Sequence, residues 1–186
     1  MGVGSETRDA LTAAIPPGAI VAVDTSGIIA YLDGTERTSN AAAIVFDSFV
    51  AAGRNPAIVS AVSVTETLVR PLRSGSASAV GTVEAFLGSF PNLTIEPVTY
   101  EIAREAARIR AVTALRAPDA LILATATIRD AGVVVANDDR WRSAIGRASL
   151  TLGIVHLASH AADRREDGER TGRGRSRPRS RRDTAS

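Results

Sequence analysis

The stretch from Arg116 to Trp141, RAPDALILATATIRDAGVVVANDDRW, restricts the fold more than any other part of the chain. Proline suits the first helical position, where its missing N–H loses no bond, so Pro118 places Asp119 in a first turn beside the positive end of a helix dipole. Ala120 to Ile128 has almost no polar face, the pattern of a helix buried on both sides. Gly132 predicts its stop, as a glycine past a helix end does. Val133-Val134-Val135-Ala136 is too short and too branched for another helix. It predicts a buried parallel strand that delivers Asn137-Asp138-Asp139 at its carboxyl end. In open α/β sheets, ligands bind at that edge.

The rest of the chain repeats the alternation of strand and helix. Pro16-Pro17-Gly18 is a strong breaker, so residues 1–18 are expected to form a weakly structured extension with at most one helical turn. Ala19–Val23 predicts a first strand ending in Asp24-Thr25-Ser26, and a short helix follows over Ile28–Leu32. An amphipathic helix is expected over 37–52, with Ala41, Ile44, Val45, Phe49 and Val50 on one face and Gly53 after it. Ala57-Ile58-Val59 is the second strand. Ser63-Val64-Thr65-Glu66 then has the form of a capping box, in which serine and glutamate satisfy each other's backbone donors. Helices are expected through Leu68 and over Ser78–Leu87, a third strand over Leu93–Val98, and a helix over Thr99–Leu115 whose Glu101, Arg104, Glu105 and Arg108 form a solvated face. Trp141–Ile145 is a last short helix and Leu152–Val155 a last strand. Such an order calls for an α/β fold, a doubly wound, three-layer α/β/α arrangement with a central parallel sheet of four to five strands.

Composition bounds the chemistry. A chain of 186 residues with 45% hydrophobic content can bury one core, so a single domain over 19–160 is expected between the N-terminal extension and a tail at 161–186. No cysteine is present, which removes a thiolate nucleophile, a disulfide framework and cysteine metal sites. No lysine is present either, so all 22 basic residues are arginine, and a Walker-A loop or a Schiff-base mechanism is excluded. Residues 161–186 carry 9 Arg against 5 acids, and the other 13 Arg stand against 15 acids. That tail is expected to be disordered and dispensable for folding, because it has no large apolar residues to bury. Its charge suits nucleic acid as well as it suits mere solubility. No apolar run is long enough to cross a bilayer and no signal-peptide pattern opens the chain, from which a cytoplasmic protein is expected.

Four acids stand at related places. Asp24 and Asp138 fall just past strands, and Glu66 and Asp119 in the first turns of helices. Each has a local explanation; Asp24, for instance, is a good N-cap, worth roughly 1 kcal/mol. A doubly wound sheet could nevertheless bring all four to one crevice, where they would repel one another unless a cation neutralised them. Hard oxygen donors select Mg²⁺ or Mn²⁺ over zinc. With no nucleophile in evidence, such a site points to phosphodiester hydrolysis. Trp141 is expected as a core anchor, His156 as packing and His160 as exposed.

Taken together, Val23-Asp24-Thr25-Ser26, Glu66 after the second strand, Pro118-Asp119-Ala120-Leu121 and Asn137-Asp138 resemble the PIN-domain ribonucleases, and among them the VapC-type toxins of toxin–antitoxin pairs. The resemblance covers about Ile20 to Leu157. It implies an Mg²⁺-dependent endoribonuclease with Asp24, Glu66, Asp119 and Asp138 as catalytic metal ligands, Thr25, Ser26 and Asn137 in support, RNA as substrate, a cognate antitoxin as inhibitor, and a homodimer. An arginine from the antitoxin or from the tail would compete with metal for Asp24, Asp119 and Asp138. The chain departs from the family at Ala136, where a hydroxyl is usual, at Trp141, where phenylalanine is usual, and at Arg140, where an acid is frequent. Two other readings stand beside this one. A haloacid-dehalogenase type of phosphatase would need an acid at Ser26 and a lysine, and has neither; a catalytically weak PIN-like RNA-binding module would not need the metal.

Overall fold

Short strands joined by helical crossovers pair in parallel at every step. In the computed structural model, which describes residues 3–161, β1 (Val21–Val23), β2 (Ala57–Ser60), β3 (Leu93–Glu96), β4 (Val133–Ala136) and β5 (Gly153–His156) form one sheet in the order β3-β2-β1-β4-β5. Eight α-helices are described: α1 (Val3–Ala14), α2 (Thr25–Asp33), α3 (Ser39–Ala43), α4 (Ala61–Ser74), α5 (Ala77–Ser89), α6 (Tyr100–Val112), α7 (Ala117–Ile128) and α8 (Arg140–Arg147). The result is the expected three-layer α/β/α fold. Among the described residues no single helix is long and apolar enough to cross a membrane.

Alternation along the strands divides the core in two. Val21, Val23, Ala57, Val59, Val133 and Val135 face one layer, with α1 to α3 and α5; Ala22, Ile58, Val134 and Ala136 face the other, with α6, α7 and α8. At β1, β2 and β4 both faces of the sheet are therefore apolar, which is why these strands run without polar interruption, whereas the edge strand β3 carries the exposed Thr94.

Several expectations change. The N-terminal segment is a three-turn helix, and its Leu11 and the following Ile15 are fully buried in the first core layer. The breaker is real: Gly18 has φ +79°, and the buried Asn55 side chain donates to the carbonyls of Pro16 and Ala19, both at 2.8 Å, while Arg54 donates to the carbonyl of Ile15 at 2.7 Å. These bonds tie α1 to the head of β2. Ile44, Val45 and Phe49, expected on one face of a helix over 37–52, lie in the core, and α3 continues through them as a π-helical segment, Ile44–Ala51. The α7 stop is not at Gly132. Asp130 takes the left-handed conformation at φ +52°, with Ala131 N–H donating to Ala126 O at 2.9 Å and Asp130 N–H to Thr127 O at 3.2 Å, a Schellman closure three residues past the last apolar turn. Gly132 instead packs closely, since a Cβ there would meet Ala19 Cβ at 3.1 Å. The capping box also dissolves: α4 begins at Ala61 with Ser60 as N-cap, so Ser63 and Glu66 lie inside the helix and Glu66 faces the carboxyl edge. The tail, apart from its first residue Ala161, lies outside the described residues.

Replacing Leu11 with alanine should lower unfolding free energy by about 2–5 kcal/mol, as for other fully buried leucines. Urea unfolding measures this, and a loss below about 1 kcal/mol, well short of that range, would place α1 outside the cooperative core.

Candidate active site

The sheet order places the change of winding direction between β1 and β4, because β2 and β3 follow on one side of β1 and β4 and β5 on the other. Side chains just past β1 and β4 must therefore meet. Asp24 N–H donates to Val135 O at 2.9 Å, continuing the β1–β4 ladder to the acid itself. Asp24 then caps α2, its Oδ2 accepting from Ser26 N–H at 3.2 Å and from Ser26 Oγ at 2.5 Å. The same Ser26 hydroxyl accepts the Asn137 N–H at 3.0 Å, so one side chain fastens the end of β1 to the end of β4. Gly27 permits this closeness: a Cβ there would lie 2.9 Å from Val23 Cγ1. Thr25 Oγ1 donates to Glu66 Oε2 at 2.6 Å, bringing the otherwise exposed Glu66 to the same edge.

Asp119 lies in the first turn of α7, with Pro118 as the second helical residue. Thr125, two turns further along, sits 3.1 Å from Ser60 Oγ at the end of β2 and thereby fixes α7 over the sheet. Asn137 points back into the fold, its Oδ1 accepting from Ala158 N–H at 3.2 Å and its carbonyl lying 2.9 Å from His156 Nε2. His156 also approaches Asp139 at 3.2 Å, and His160 is half-buried where exposure was expected. Asp138, not Asp139, closes the start of α8: its Oδ1 accepts Arg140 N–H at 2.9 Å, whereas the Asp139 side chain makes no cap bond and is 94% exposed. Trp141 is fully buried as expected.

Asp24, Thr25, Ser26, Glu66, Asp119, Asn137 and Asp138 thus line a single open cleft of about 780 Å³. Ile29, Asp139, Arg140 and Trp141 complete its wall. Arg140 is the participant that sequence reasoning passed over except as a departure from pattern. Its signal was its place two residues after Asp138, close enough to reach back across the start of a helix.

The electrostatics match the crowding. Burial pushes the Asp24 carboxyl above its ordinary range, against the Ser26 hydrogen bonds, and the Glu66 charge adds to the rise. Asp119 is also raised, first by burial and then by the charges of Asp138 and Glu66, with Arg140 opposing. Asp138 moves the other way, because Arg140 bonds to it. A hard divalent cation fits this donor set, four carboxylates with two of them reluctant to ionise unaided. Yet among the described residues no three His, Asp or Glu side chains stand close enough together to hold one ion. Thr25 occupies an oxygen of Glu66, and Arg140 occupies both oxygens of Asp138.

A family model described as PIN domain matches residues 21–146. No curated protein matches the sequence significantly. Among solved structures, a toxin–antitoxin complex from Klebsiella pneumoniae aligns at 18% identity and TM-score 0.54, covering 75% of this chain and 98% of that one. VapC20 of Mycobacterium tuberculosis, described as a sarcin–ricin loop cleaving toxin, aligns at 19% and 0.57 over 68% and 95%. VapBC2 from Rickettsia felis, bound to a DNA fragment from its promoter, aligns at 16% and 0.54 over 73% and 98%. At these identities the likeness is one of fold.

A raised carboxyl in the folded state binds its proton more tightly than in the unfolded chain, so stability falls as pH climbs from the ordinary value through the folded one. Ionised Asp119 is therefore a net cost at neutral pH without metal. Asp119→Asn should raise the melting temperature at pH 7, and the gain should fade as pH falls through the raised folded-state value and vanish below the ordinary carboxylate range. A melting temperature unchanged or lowered at pH 7 would mean that the helix dipole outweighs burial.

Proposed function

Because the chain belongs to the PIN-domain family, we propose that it is a metal-dependent endoribonuclease, a VapC-type toxin that hydrolyses RNA phosphodiester bonds and is held in check by a cognate antitoxin. The observation that carries this reading is the single cleft at the winding switch, which Asp24, Glu66, Asp119 and Asp138 all line and which a chain without cysteine or lysine can furnish with neither a thiolate nor an amine nucleophile. Oxygen-only donors suit Mg²⁺ or Mn²⁺, held by Asp24, Asp119 and Asp138 with Glu66 in support. When bound, such an ion supplies Lewis acidity and a water of lowered pKa.

The chain's own residues do the rest. Ser26 holds Asp24 in one orientation through two hydrogen bonds to Oδ2. Thr25 steers Glu66 toward the cleft from a helix position that would otherwise project outward. Asn137 anchors the turn after β4 and so sets where Asp138 begins. The cleft is open and polar at its base, which suits a segment of a polymer better than an enclosed small molecule. RNA as substrate is supported by the description of the M. tuberculosis neighbour as a sarcin–ricin loop cleaving toxin.

The partner part of the reading is supported by the Klebsiella neighbour, a toxin–antitoxin complex, and by the surface. A groove of about 370 Å³ runs between α2, α4 and α5, lined by Ile29, Leu32, Pro71 and Val83, and Glu66 and Ile29 line both it and the cleft. An amphipathic antitoxin segment would cover this face and reach the acids. The homodimer belongs to the same proposal.

Full-length protein incubated with structured RNA should cleave it with Mg²⁺ or Mn²⁺ and stop on chelation. Asp24→Asn should lower the rate at least about a hundredfold, the equivalent of about 2.7 kcal/mol in the barrier. RNA that is bound but never cut, with or without metal, would favour a binding module instead.

A further inference from the structure

Arg140 stands where nothing in the architecture of α8 asks for a cation. It is the first residue of that helix, at the end whose dipole favours negative charge, and Arg142 follows in the same turn. Its guanidinium nevertheless folds back: Nε lies 3.0 Å from each oxygen of Asp138, and Nη2 also donates to Oδ2. Among the described residues lining the cleft it is the sole cation. The pair is open to solvent, with the Arg140 side chain 60% exposed, so it is screened by salt and readily exchanged. Asp138 stays in place if the guanidinium leaves, because its Oδ1 also accepts the Arg140 backbone N–H at 2.9 Å. Side chain and backbone of one residue therefore do separate things, the backbone fixing the carboxylate and the guanidinium covering it.

We propose that the Arg140 guanidinium and a divalent cation are alternative occupants of the Asp138 carboxylate, and that the guanidinium, once displaced, receives a phosphate of the RNA backbone at the rim of the cleft. This rests on the reading of the cleft as a metal site. In the metal-free protein Arg140 offsets one charge of a crowded acid group, relieving the repulsion that four carboxylates would otherwise impose. Metal entry replaces a weak, solvent-screened pairing with coordination and frees a planar fork whose donor geometry matches two phosphate oxygens. The cation that protects the empty site thus becomes a positioning residue for the substrate of the loaded one.

The test compares full-length wild-type protein with Arg140→Gln, Arg140→Lys and Asp24→Asn, reading free Mn²⁺ by electron paramagnetic resonance at low salt. We expect Arg140→Gln to bind Mn²⁺ about fivefold to tenfold more tightly than wild type, with Arg140→Lys between them and the gap closing as NaCl screens the wild-type pair. Equal or weaker binding by Arg140→Gln overturns the exchange, and if Asp24→Asn meanwhile abolishes binding, the metal-site reading survives that failure. No Mn²⁺ uptake by wild type or Arg140→Gln overturns both together. At saturating Mn²⁺, Arg140→Gln should raise KM for RNA about fivefold with kcat less affected. An unchanged KM overturns the phosphate role.

Discussion

The parallel pairing of β1 with β4 decides what the functional edge can contain. Val21, Ala22 and Val23 stand in register with Val133, Val134 and Val135, so the residues that follow each strand emerge side by side. Asp24 is hydrogen-bonded into the last rung of that ladder, and the Ser26 hydroxyl crosses to the Asn137 N–H. Neither contact would survive a one-residue slip, which would also turn the apolar side chains of both strands to the wrong layer. The valines that bury themselves on two faces are therefore what hold two acids together at the third.

Holding them together has a cost that the fold manages locally. A buried Asp24 is pulled toward its neutral form by desolvation and toward its charged form by the Ser26 bonds, and desolvation wins. Asp119 faces the same conflict with two charged neighbours. Asp138 escapes it through Arg140, and Glu66 shares its charge with the Thr25 hydroxyl. The four acids are thus held in two ways, with the pair at β1 and α7 left in need of a counter-charge and the other two already attended. That division is what makes the cleft receptive to a cation without collapsing in its absence.

The supports lie far from the cleft as well as near it. α2, which carries Thr25 and Ser26, is braced by Tyr31 against Phe46, Phe86 and Phe90, ring centroids 4.7–5.8 Å away, with the Tyr31 hydroxyl donating to Asp47 at 2.8 Å. Aromatic rings at these separations contribute packing beyond the area they bury. α1, outside the matched family segment, fills the same layer through Leu11, with Ile15 just after it.

The parallel strands, the buried helix around Ile122 to Ala126 and the candidacy of Asp24, Glu66, Asp119 and Asp138 were all legible in the chain alone, because apolar periodicity and residue type record burial and chemistry directly. The helix of residues 3–14 was not, since its buried Leu11 and the Ile15 that follows it look ordinary until the sheet gives them something to cover. Nor could sequence decide between Ser63 and Thr25 as the partner of Glu66: a capping box is a contact over three residues, whereas the bond to Thr25 spans 41 and exists only because α2 and α4 pack over neighbouring strands. The left-handed stop fell at Asp130 and not at Gly132, where the chain has already turned into β4 beside Ala19. Arg140 turned toward Asp138 for a reason of the same kind. Local propensity can say that an arginine is present and charged, but only the assembled edge, with its surplus of carboxylates, says which way it must point.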